Sequence, residues 1–335
     1  MSGPDQGGAG QDGQGSGMAE GVPDLSVVMT IVDGGATLRR CLDALAAQTG
    51  APSIEVLVPY DHMSTEAGAM AADYPGFRFI DLGAILGGMV PANPYEMHAF
   101  YDTRRSEAMK RATGRLIAII EDRGVPAPDW AAVMIRLHAE NREGVIGGAV
   151  ENGVDRLWNW AIFFCDFGRY QPPLAEREPE YVTDTNIAYK REAIMAVRDL
   201  WEVKYQEAQV NWELRRRGVG LMLSDAALTV QMRPAVPVRA LAAERLHWAR
   251  MFGQVRGREI SAGQRLKLCL AMPVLPFVLF VRHLRRQIAK GRHVGTYLAA
   301  APMVLFLLAC WSLGEFIGYA EARPKPAASR AEGRG

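Results

Sequence analysis

Three consecutive polar residues in the middle of the chain follow directly on an apolar run. Glu121, Asp122 and Arg123 come immediately after residues 116–120, which are Leu-Ile-Ala-Ile-Ile. Two carboxylates at the mouth of a buried strand are unfavourable unless they are solvated, paired or bound to a metal. Oxygen ligands of this kind suit Mg²⁺ or Mn²⁺ bridging a diphosphate. The other interpretation is a polar strand end before a proline-containing turn, where acids are common.

Two more aspartates stand where apolar runs end. Asp33 is followed by two glycines after the run 25–31, and Asp61 comes shortly after the run 54–58. Asp61 is a candidate acceptor of a hydrogen bond from a nucleobase or a ribose, although aspartate is also a common turn residue. Both aspartates are therefore candidates for a binding site at the ends of these strands.

A helical pattern over residues 205–218 contains a further candidate. Glu207 shares one helix face with Asn211 and Leu214. At the start of this helix, Glu207 could act as a general base toward an acceptor hydroxyl if its pKa is raised. A first-turn acid that is favoured by the helix dipole is the alternative interpretation.

A basic group precedes the first long apolar run of the C-terminal part. The group comprises Arg245, His247, Arg250 and Arg256. Guanidinium groups bind phosphates through paired, charge-assisted hydrogen bonds, so this group is a candidate clamp for a diphosphate or a pyrophosphoryl lipid. Non-specific contact with anionic lipid is the alternative.

Alternating strand and helix patterns must position these candidates. Strands are predicted at 25–31, 54–58, 77–80, 116–120 and 145–150. Helices are predicted at 38–45, 102–112 and 130–140, and a further helix begins after an N-cap at Ser64. Residues 83–100 are predicted to form a loop. This alternation predicts an α/β fold with a mostly parallel sheet and right-handed crossovers. Ligands of such sheets bind at the carboxyl ends of the strands, where Asp33, Asp61 and Glu121 would lie.

The average charge of the chain hides a local asymmetry. Its 335 residues include 38 basic and 37 acidic side chains, a net charge of about +1, which argues against a nucleic-acid partner. Four cysteines without a CxxC pair argue against a disulfide scaffold and a cysteine-rich zinc site.

The charge is unevenly distributed along the chain. Residues 245–293 hold eleven Lys or Arg and one acid, Glu259, so this segment carries a net charge of +10 and the rest of the chain −9.

Two uncharged apolar runs accompany this basic segment. Residues 268–281 form a run of 14 with two prolines, and residues 294–313 form a run of 20. About 20 apolar residues span a bilayer, whereas shorter runs are more often interfacial, re-entrant or buried. Since basic residues flank both runs, we predict that the first dips into the membrane from the cytoplasmic side and the second crosses it. A buried helical hairpin in a soluble protein is the alternative.

These observations divide the chain into five parts. Residues 1–24 contain eight of the 34 glycines and no apolar period, which predicts a disordered tail and not a signal peptide. The other parts are a globular domain at 25–244, a basic juxtamembrane region with an interfacial or re-entrant helix at 245–293, a transmembrane helix at 294–320 and a flexible tail at 321–335.

The order and spacing of these segments resemble the family-two glycosyltransferases, which have a GT-A fold. The resemblance covers about residues 25–250, and the order of its blocks is more specific than any single block. The blocks are residues 25–32, 38–48 and 54–64, then 104–114 with Glu-Asp-Arg and Pro-Asp-Trp, then 184–191, and last Glu207 with the arginine-rich run that ends at Gly218.

This resemblance implies a nucleotide-diphosphate sugar as donor. Asp33 and Asp61 would lie around the nucleotide. Glu121 and Asp122 would occupy the DxD-type site that binds the diphosphate and a divalent cation, Mg²⁺ or Mn²⁺. The chain departs from the family pattern at Arg123, where a third-position acid or histidine is usual, so the guanidinium itself could neutralise the diphosphate and make the metal optional. A second departure is Asp33 with its neighbours, which replaces the usual proline and asparagine.

The resemblance also implies roles on the acceptor side. Glu207 would be the base of a single displacement with inversion, although the usual Glu-Asp pair is Gln206-Glu207 in this chain. The C-terminal apolar runs resemble those of membrane-attached members that act on lipid-linked acceptors. Further contacts with the acceptor or the diphosphate would come from Asp184, Asn186, Arg245, His247 and Arg250.

The predicted function is an inverting glycosyltransferase at the inner or plasma membrane, with its catalytic domain in the cytoplasm and a lipid-linked or cell-envelope acceptor. The main alternative is a non-catalytic GT-A-like membrane protein that binds a nucleotide, a lipid or a protein partner, because Glu-Asp-Arg departs from the metal-binding pattern. A nucleotidyltransferase is disfavoured, since no glycine-rich phosphate loop with a following lysine stands near the first strand.

Overall fold

A central sheet with helices on both faces forms the body of the molecule. The computed structural model describes residues 21–50, 53–174 and 178–322. Residues 1–20 and 323–335, which make up most of the two predicted tails, lie outside these ranges. Within the described residues the strands are β1 Leu25–Thr30, β2 Ile54–Tyr60, β3 Arg78–Asp81, β4 Leu116–Glu121, β5 Gly124–Pro126, β6 Val145–Asn152, β7 Asn186–Lys190 and β8 Leu221–Gln231.

The strands follow the order β3-β2-β1-β4-β7-β6-β8-β5 across the sheet. Strand β1 is parallel to β2 and β4, β2 is parallel to β3, and β6 is parallel to β8. The other three pairings, β4 with β7, β6 with β7 and β5 with β8, are antiparallel. The predicted α/β fold, with a mostly parallel sheet between helices, is confirmed, and the antiparallel insertion of β7 is a feature that the strand patterns did not predict.

The helices of the described residues divide into those that cover the sheet and a C-terminal group. The first set is α1 Gly35–Ala46, α2 Glu66–Ala69, α3 Pro94–Met109, α4 Trp130–Glu140, α5 Leu157–Asp166, α6 Arg191–Met195 and α7 Glu207–Arg216. The C-terminal group is α8 Val238–Glu259, α9 Ala262–Ala271, α10 Leu275–Lys290, α11 Val294–Ala299 and α12 Ala301–Glu321. Short 3₁₀ segments lie at Met70–Asp73, Leu86–Gly88 and Arg198–Leu200.

Two local predictions are wrong. Helix α3 begins inside the segment 83–100, which the sequence assigned to a loop. Asn93 caps this helix by accepting a hydrogen bond from the backbone N–H of Glu96 at 3.0 Å, and a proline fills the first helical position. The predicted N-cap at Ser64 fails because α2 begins two residues later, and the Ser64 hydroxyl accepts from the backbone N–H of Asp61 instead.

Strand β1 shows why the central strands are mostly apolar and bury even their few polar residues. All six of its residues are buried. Val27 and Met29 belong to the core on the side of α1 and α4, whereas Val28 belongs to the core on the opposite face. A strand that lies between two cores needs apolar side chains on both faces. In β1 and β4 the charged side chains come only at the strand ends, with Glu121 and the residues that follow, and both strands end at the same edge.

The C-terminal helices pack onto the sheet-covering helices. Helix α12 lies along α8, where Gly314 and Gly318 allow the two backbones to approach closely. Leu307 of α12 belongs to the same core as α5. Helix α10 is tied to α5 through His283, whose Nδ1 lies 2.8 Å from the carbonyl oxygen of Phe164. These contacts hold the C-terminal helices beside the edge of the sheet where the polar residues emerge.

The C-terminal helices also expose apolar surface. Within the described residues, α12 is the one helix that is long and apolar enough to cross a bilayer, and α9 with α10 would pass as a second segment, broken by a bend of 83°. Helix α8 continues without a break through residue 245, where the sequence places the start of the basic region. The C-terminal apolar face, as we name it, consists of the exposed side chains Leu266, Leu270, Val274, Phe277, Val278 and Val281.

Replacing Gly318 with valine is expected to lower the melting temperature by several degrees. A Cβ at this position would clash with the carbonyl oxygen of Arg250 on α8, and overpacking of this kind costs about 1–3 kcal/mol. Gly295→Ala is the control, because a Cβ there meets no atom within 4 Å. Thermal unfolding of the full chain in detergent measures both variants, and equal melting temperatures would contradict the close α8–α12 packing.

Candidate active site

Two sets of hydrogen bonds join the residues after β4 to the residues after β1. Oδ2 of Asp122 accepts from the backbone N–H groups of Asp33 and Gly34 at 3.0 and 2.8 Å. Arg123 donates to both carboxylate oxygens of Asp33 at 2.7 and 2.6 Å. Burial raises the pKa of Asp122 to about 6, although the hydrogen bond from Gly34 opposes this shift. Three of the predicted donor-side residues therefore come together and fix the loop after β1.

Glu121 points away from this loop, toward a buried guanidinium. The side chain of Arg105 is 1% exposed, and its Nη2 lies 3.4 Å from Glu121 and 2.7 Å from Asp184. Nη1 of Arg105 lies 3.3 Å from Asp102. The Nε of the same side chain donates to the hydroxyl of Thr30 at 2.9 Å. One guanidinium thus contacts three carboxylates. Its positive charge partly compensates the free-energy cost of burying their negative charges.

Glu207 stands at the start of α7, beside the same carboxylates. Burial first, and then the charge of Asp184, raise the pKa of Glu207 to about 8. The same two causes raise the pKa of Glu121 to about 7. Asn211 steadies the first turn of the helix by donating to the backbone carbonyl of Glu207 at 2.6 Å. A carboxylate with its pKa near neutrality is suited to take a proton from a substrate.

One cavity of about 680 Å³ joins these carboxylates to the C-terminal helices. Its wall contains Arg105, Glu121, Asp184 and Glu207, and also Arg123, which forms the ion pair with Asp33. Other parts of the wall come from α8, α10 and α12, namely Arg245, Arg256, Leu275, Leu279, Arg282, Arg286, Leu307, Leu308 and Trp311. The volume is in the range of small-molecule sites, and the mixed wall can hold a ligand with both charged and apolar parts.

Of the predicted residues near the sheet, Asp33, Asp61, Asp122 and Asn186 lie outside the cavity wall. Asp33 and Asp122 are held by the hydrogen bonds described above, and the other two are buried with other partners. Asp61 forms an ion pair with Arg104, whose Nε and Nη2 lie 2.7 and 2.9 Å from its two carboxylate oxygens. The side chain of Asn186 accepts from Nε1 of Trp130 at 2.9 Å and donates to two backbone carbonyls. Both side chains already have internal partners in this structure.

The predicted acceptor-side residues on α8 separate from one another. Arg245 lines the cavity and forms a buried ion pair with Asp166. Arg250 instead pairs with Glu321 at the surface, with Nη2 and Oε1 2.7 Å apart. His247 lies on the same helix outside the cavity wall. The structure therefore does not bring these three residues together into one clamp.

The residues predicted to bind a metal do not converge. Among the described residues, no group of three or more His, Cys, Asp or Glu side chains is arranged to hold a metal ion. Glu121 and Asp122 leave β4 in different directions, and Oδ2 of Asp122 already accepts two backbone hydrogen bonds. The positive charge beside Glu121 is that of Arg105. The described residues thus do not fit a preformed metal site.

Sequence inspection missed several arginines that line the cavity, among them Arg105 of α3 and Arg282 and Arg286 of α10. Arg104 and Arg105 are neighbours on α3, yet one pairs with Asp61 and the other reaches the cavity. The sole local signal for Arg105 is an acid three residues earlier on the same helix. Arg282 and Arg286 of α10 both line the cavity, and their i, i+4 spacing was a signal that could have placed them on one helix face.

Comparison with known proteins finds likeness in structure and none in sequence: no family model matches the chain, and no curated protein matches it. A mannosyltransferase from Pyrobaculum calidifontis, PcManGT, solved with GDP-Man and Mn²⁺, is 16% identical with a TM-score of 0.47, over 93% of this chain and 79% of that one. S. aureus TarS 1–349 is 12% identical with a TM-score of 0.46, over 87% and 90%. GalNAc-T7 with UDP, GalNAc and Mn²⁺ is 11% identical with a TM-score of 0.45, over 71% of this chain and 51% of that one. At identities this low, likeness bears on the fold alone.

Proposed function

We propose that this chain is a membrane-attached, inverting glycosyltransferase that moves a sugar from a nucleotide-diphosphate donor to a membrane-linked or cell-envelope acceptor. The observation that carries the proposal is the shared cavity, in which Glu121, Asp184 and Glu207 face the same space as the C-terminal helices. Parts of the sequence blocks that resemble family-two glycosyltransferases, among them Glu121, Asp184 and Glu207, line this cavity, which supports the same function. A soluble acceptor would not need the apolar part of the wall.

Glu207 is the proposed base of the transfer. Its carboxylate takes the proton of an acceptor hydroxyl while the acceptor oxygen attacks the anomeric carbon of the donor sugar. The bond from that carbon to the donor diphosphate breaks, and the nucleoside diphosphate leaves with the electron pair. Attack opposite the leaving group inverts the anomeric configuration. The raised pKa of Glu207 supports this role, because a base with a pKa near the working pH is the most effective.

Two arginines supply positive charge for the donor in this proposal. Arg123 lines the cavity and is held in place by Asp33, so its guanidinium is preorganised to neutralise a diphosphate. Arg105 offsets the charges of Glu121 and Asp184, which would otherwise repel the donor. A divalent cation, Mg²⁺ or Mn²⁺, is the cofactor predicted from the sequence, and the arrangement of guanidinium groups leads us to expect donor binding without added metal.

Membrane attachment through the C-terminal apolar face is part of the proposal. Basic residues such as Lys267 and Arg285 accompany this face, and anionic headgroups attract them. The same basic residues favour a cytoplasmic catalytic domain. Helix α12 packs against α5 and α8, so 44% of its most apolar stretch is buried in the protein. The full crossing at 294–320 therefore stays a prediction, and an interfacial location of α9 and α10 fits the exposed side chains.

The rate of transfer should follow the ionisation of Glu207. Since burial and Asp184 raise the pKa of Glu207 to about 8, and only the deprotonated form can accept a proton, kcat/KM should rise as the pH increases through about 8 and level off above it. Initial rates over the neutral and mildly alkaline range measure this. A profile that is already flat above the ordinary glutamate pKa of about 4.3 would contradict the assignment.

A non-catalytic GT-A-like membrane protein is the second candidate function. The observation that favours it is the ion pair of Arg123 with Asp33, which occupies the place of a metal-binding acid. Titration of the full chain with uridine and guanosine diphosphates and their sugars, with and without Mn²⁺, separates the two functions. Absence of nucleotide binding under both conditions favours the non-catalytic protein, whereas binding of a nucleotide sugar supports the glycosyltransferase when release of nucleoside diphosphate follows it.

A further inference from the structure

Asp102 on α3 is a buried carboxylate that no step of the proposed transfer uses. It is 1% exposed, and its two oxygen atoms face two different cations. Oδ1 accepts from Nη1 of Arg105 at 3.3 Å, and Oδ2 lies 3.5 Å from Nζ of Lys204. Burying a carboxylate is unfavourable unless positive charge compensates it. The two cations supply that compensation, and Asp102 in turn restrains where both of them lie.

The contact with Arg105 reaches the carboxylates of the cavity. The Arg105 guanidinium also donates from Nε to the Thr30 hydroxyl at 2.9 Å, and its Nη2 lies 2.7 Å from Asp184. Thr30 belongs to β1 and Asp102 to α3, so two elements hold the planar guanidinium, which cannot turn without breaking one of these contacts. Asp102 therefore helps to fix the positive charge beside Asp184.

The contact with Lys204 reaches the start of α7. Lys204 lies three positions before Glu207, the first residue of that helix. Two further contacts hold the same segment. The Ser106 hydroxyl of α3 donates to the carbonyl oxygen of Trp201 at 2.6 Å, and the Tyr205 hydroxyl lies 2.7 Å from a tyrosine hydroxyl of β7. The segment before Glu207 is thus attached both to α3 and to the sheet.

The ionisation of Glu207 depends on groups from several elements. Those whose charges act on it are Asp102, Arg105 and Asp184. Burial raises the pKa of three nearby tyrosines, which therefore stay neutral: Tyr181, Tyr189 and Tyr205. His98, 3.6 Å from Asp102, is neutral as well, since burial and the charge of Arg105 lower its pKa to about 3. Glu121 and arginines of α8 and α10 share the cavity wall. Among these groups, Asp102 and Arg105 form one ion pair whose two charges oppose each other at Glu207.

We propose that Asp102 is a positioning residue of the transfer: it holds Arg105 against Asp184 and Lys204 at the start of α7, and so fixes the place and the electrostatic surroundings of the proposed base. This inference rests on the proposed function and adds to it a residue that acts through others. Asp102 does not receive the acceptor proton. Its loss removes the anchor that the guanidinium and the start of α7 share.

The two charges of this ion pair act on Glu207 in opposite directions. Burial chiefly, and then Asp184 and Asp102, raise the pKa of Glu207, whereas Arg105 lowers it. Only the ionised form accepts a proton, so the midpoint of the rise in kcat/KM follows this pKa, which is about 8 in the wild type. Removing the negative charge of Asp102 should move the midpoint to lower pH, and removing the positive charge of Arg105 should move it to higher pH.

Asp102→Asn tests this inference on the full chain in a neutral detergent. The asparagine keeps the shape of the side chain and removes its charge, so we expect the midpoint to fall by about one pH unit. The plateau at high pH should fall by about tenfold or more, because Arg105 and Lys204 are no longer held in place. Initial rates of transfer from mildly acidic to alkaline pH measure both quantities.

Two substitutions of Arg105 separate its charge from its shape. Arg105→Met removes the charge, and its midpoint should rise by about one pH unit. Arg105→Lys keeps the charge but loses the planar fork. Its midpoint should stay near that of the wild type while its plateau falls.

Glu107→Gln is the matched control on the same helix. Glu107 pairs with Lys110 and Arg111 outside the cavity wall, so its replacement should leave the midpoint and the plateau near those of the wild type. Arg104→Met is the control for lost stability. It breaks another buried ion pair of α3, that with Asp61, and should destabilise the fold without moving the midpoint.

Opposite shifts of the midpoint in Asp102→Asn and Arg105→Met support the inference. A lower rate of Asp102→Asn at every pH with an unmoved midpoint would indicate a merely structural role and would overturn it. Shifts of both variants in the same direction would also overturn it. Where Arg105→Met does not fold, the midpoint of Asp102→Asn relative to Glu107→Gln decides.

Donor binding by the wild type, measured by calorimetry, distinguishes failure of this inference from failure of the proposed function. A wild type that binds a nucleotide sugar and transfers the sugar with a midpoint near pH 8, while Asp102→Asn keeps that midpoint, would overturn the inference alone. A wild type that binds no nucleotide sugar would remove the proposed function, and the inference with it.

Discussion

Glu207→Gln is expected to lower the rate of sugar transfer by about 10²–10⁴-fold, the usual contribution of a positioned base, with little change in donor affinity. The amide keeps the size of the side chain but cannot accept a proton. Because the pKa of Glu207 is raised to about 8, the neutral form already predominates near pH 7, so a neutral amide should be tolerated by the fold. Release of nucleoside diphosphate in the presence of acceptor measures the rate, and calorimetry measures donor binding.

Glu213→Gln is the matched control for this prediction. Glu213 lies on the same helix α7 and pairs with Arg216 and Arg217, outside the cavity wall. Its replacement should leave transfer near the wild-type rate. Near-normal turnover of Glu207→Gln would show that another group removes the proton.

Arg104→Met is expected to lower the free energy of unfolding by about 3–5 kcal/mol, the usual loss when one partner of a buried ion pair is removed. Asp61 is 1% exposed, and both of its carboxylate oxygens accept from Arg104. Without the guanidinium, this carboxylate would remain buried and unpaired. Thermal and denaturant unfolding of the full chain in detergent measure the loss.

The control for this prediction is Arg111→Met, which removes a partly exposed ion pair with Glu107 and should cost about 1 kcal/mol or less. The double variant Asp61→Asn with Arg104→Met should recover part of the lost stability, because neither charge then remains unpaired. Equal stabilities of Arg104→Met and Arg111→Met would contradict a stabilising role of the Asp61–Arg104 pair.

The fold was predictable where local pattern and tertiary burial agree. The largely apolar strands β1 and β4, and the α1 face of Leu38, Cys41 and Leu42, have the burial that their spacing predicts. Strand β7 was missed because its antiparallel pairing with β4 and β6 depends on distant segments. The start of α3 was missed because glycine and proline around residues 83–94 hid a helix that begins with an Asn-Pro cap.

The two residues that depart from the pattern of the glycosyltransferases that the sequence resembles are in contact in the structure. Asp33 stands where asparagine or proline is usual, and Arg123 stands where a metal-binding acid is usual. The two side chains form a bidentate ion pair, with both distances under 3 Å. The sequence showed each departure separately, but their contact across 90 positions follows only from the parallel pairing of β1 with β4.

The rest of the candidate site could not be predicted because it depends on where long side chains point. Arg104 and Arg105 differ by one helix position, which turns the first toward Asp61 and the second toward Asp184. Arg282 becomes part of the cavity only because α10 folds back against α5. Spacing along the chain contains no record of such tertiary contacts.

The central claim is that the chain transfers a sugar from a nucleotide-diphosphate donor with Glu207 as the base. It is tested most directly by comparing the amounts of nucleoside diphosphate and of transferred sugar that the reaction forms. The full chain would be incubated with each nucleotide sugar, labelled in the sugar, and with a lipid-linked acceptor fraction. We predict that one donor yields nucleoside diphosphate and lipid-extractable labelled sugar in equal amounts, and that Glu207→Gln forms neither at a comparable rate. Release of nucleoside monophosphate, or no release from any donor, would contradict the account.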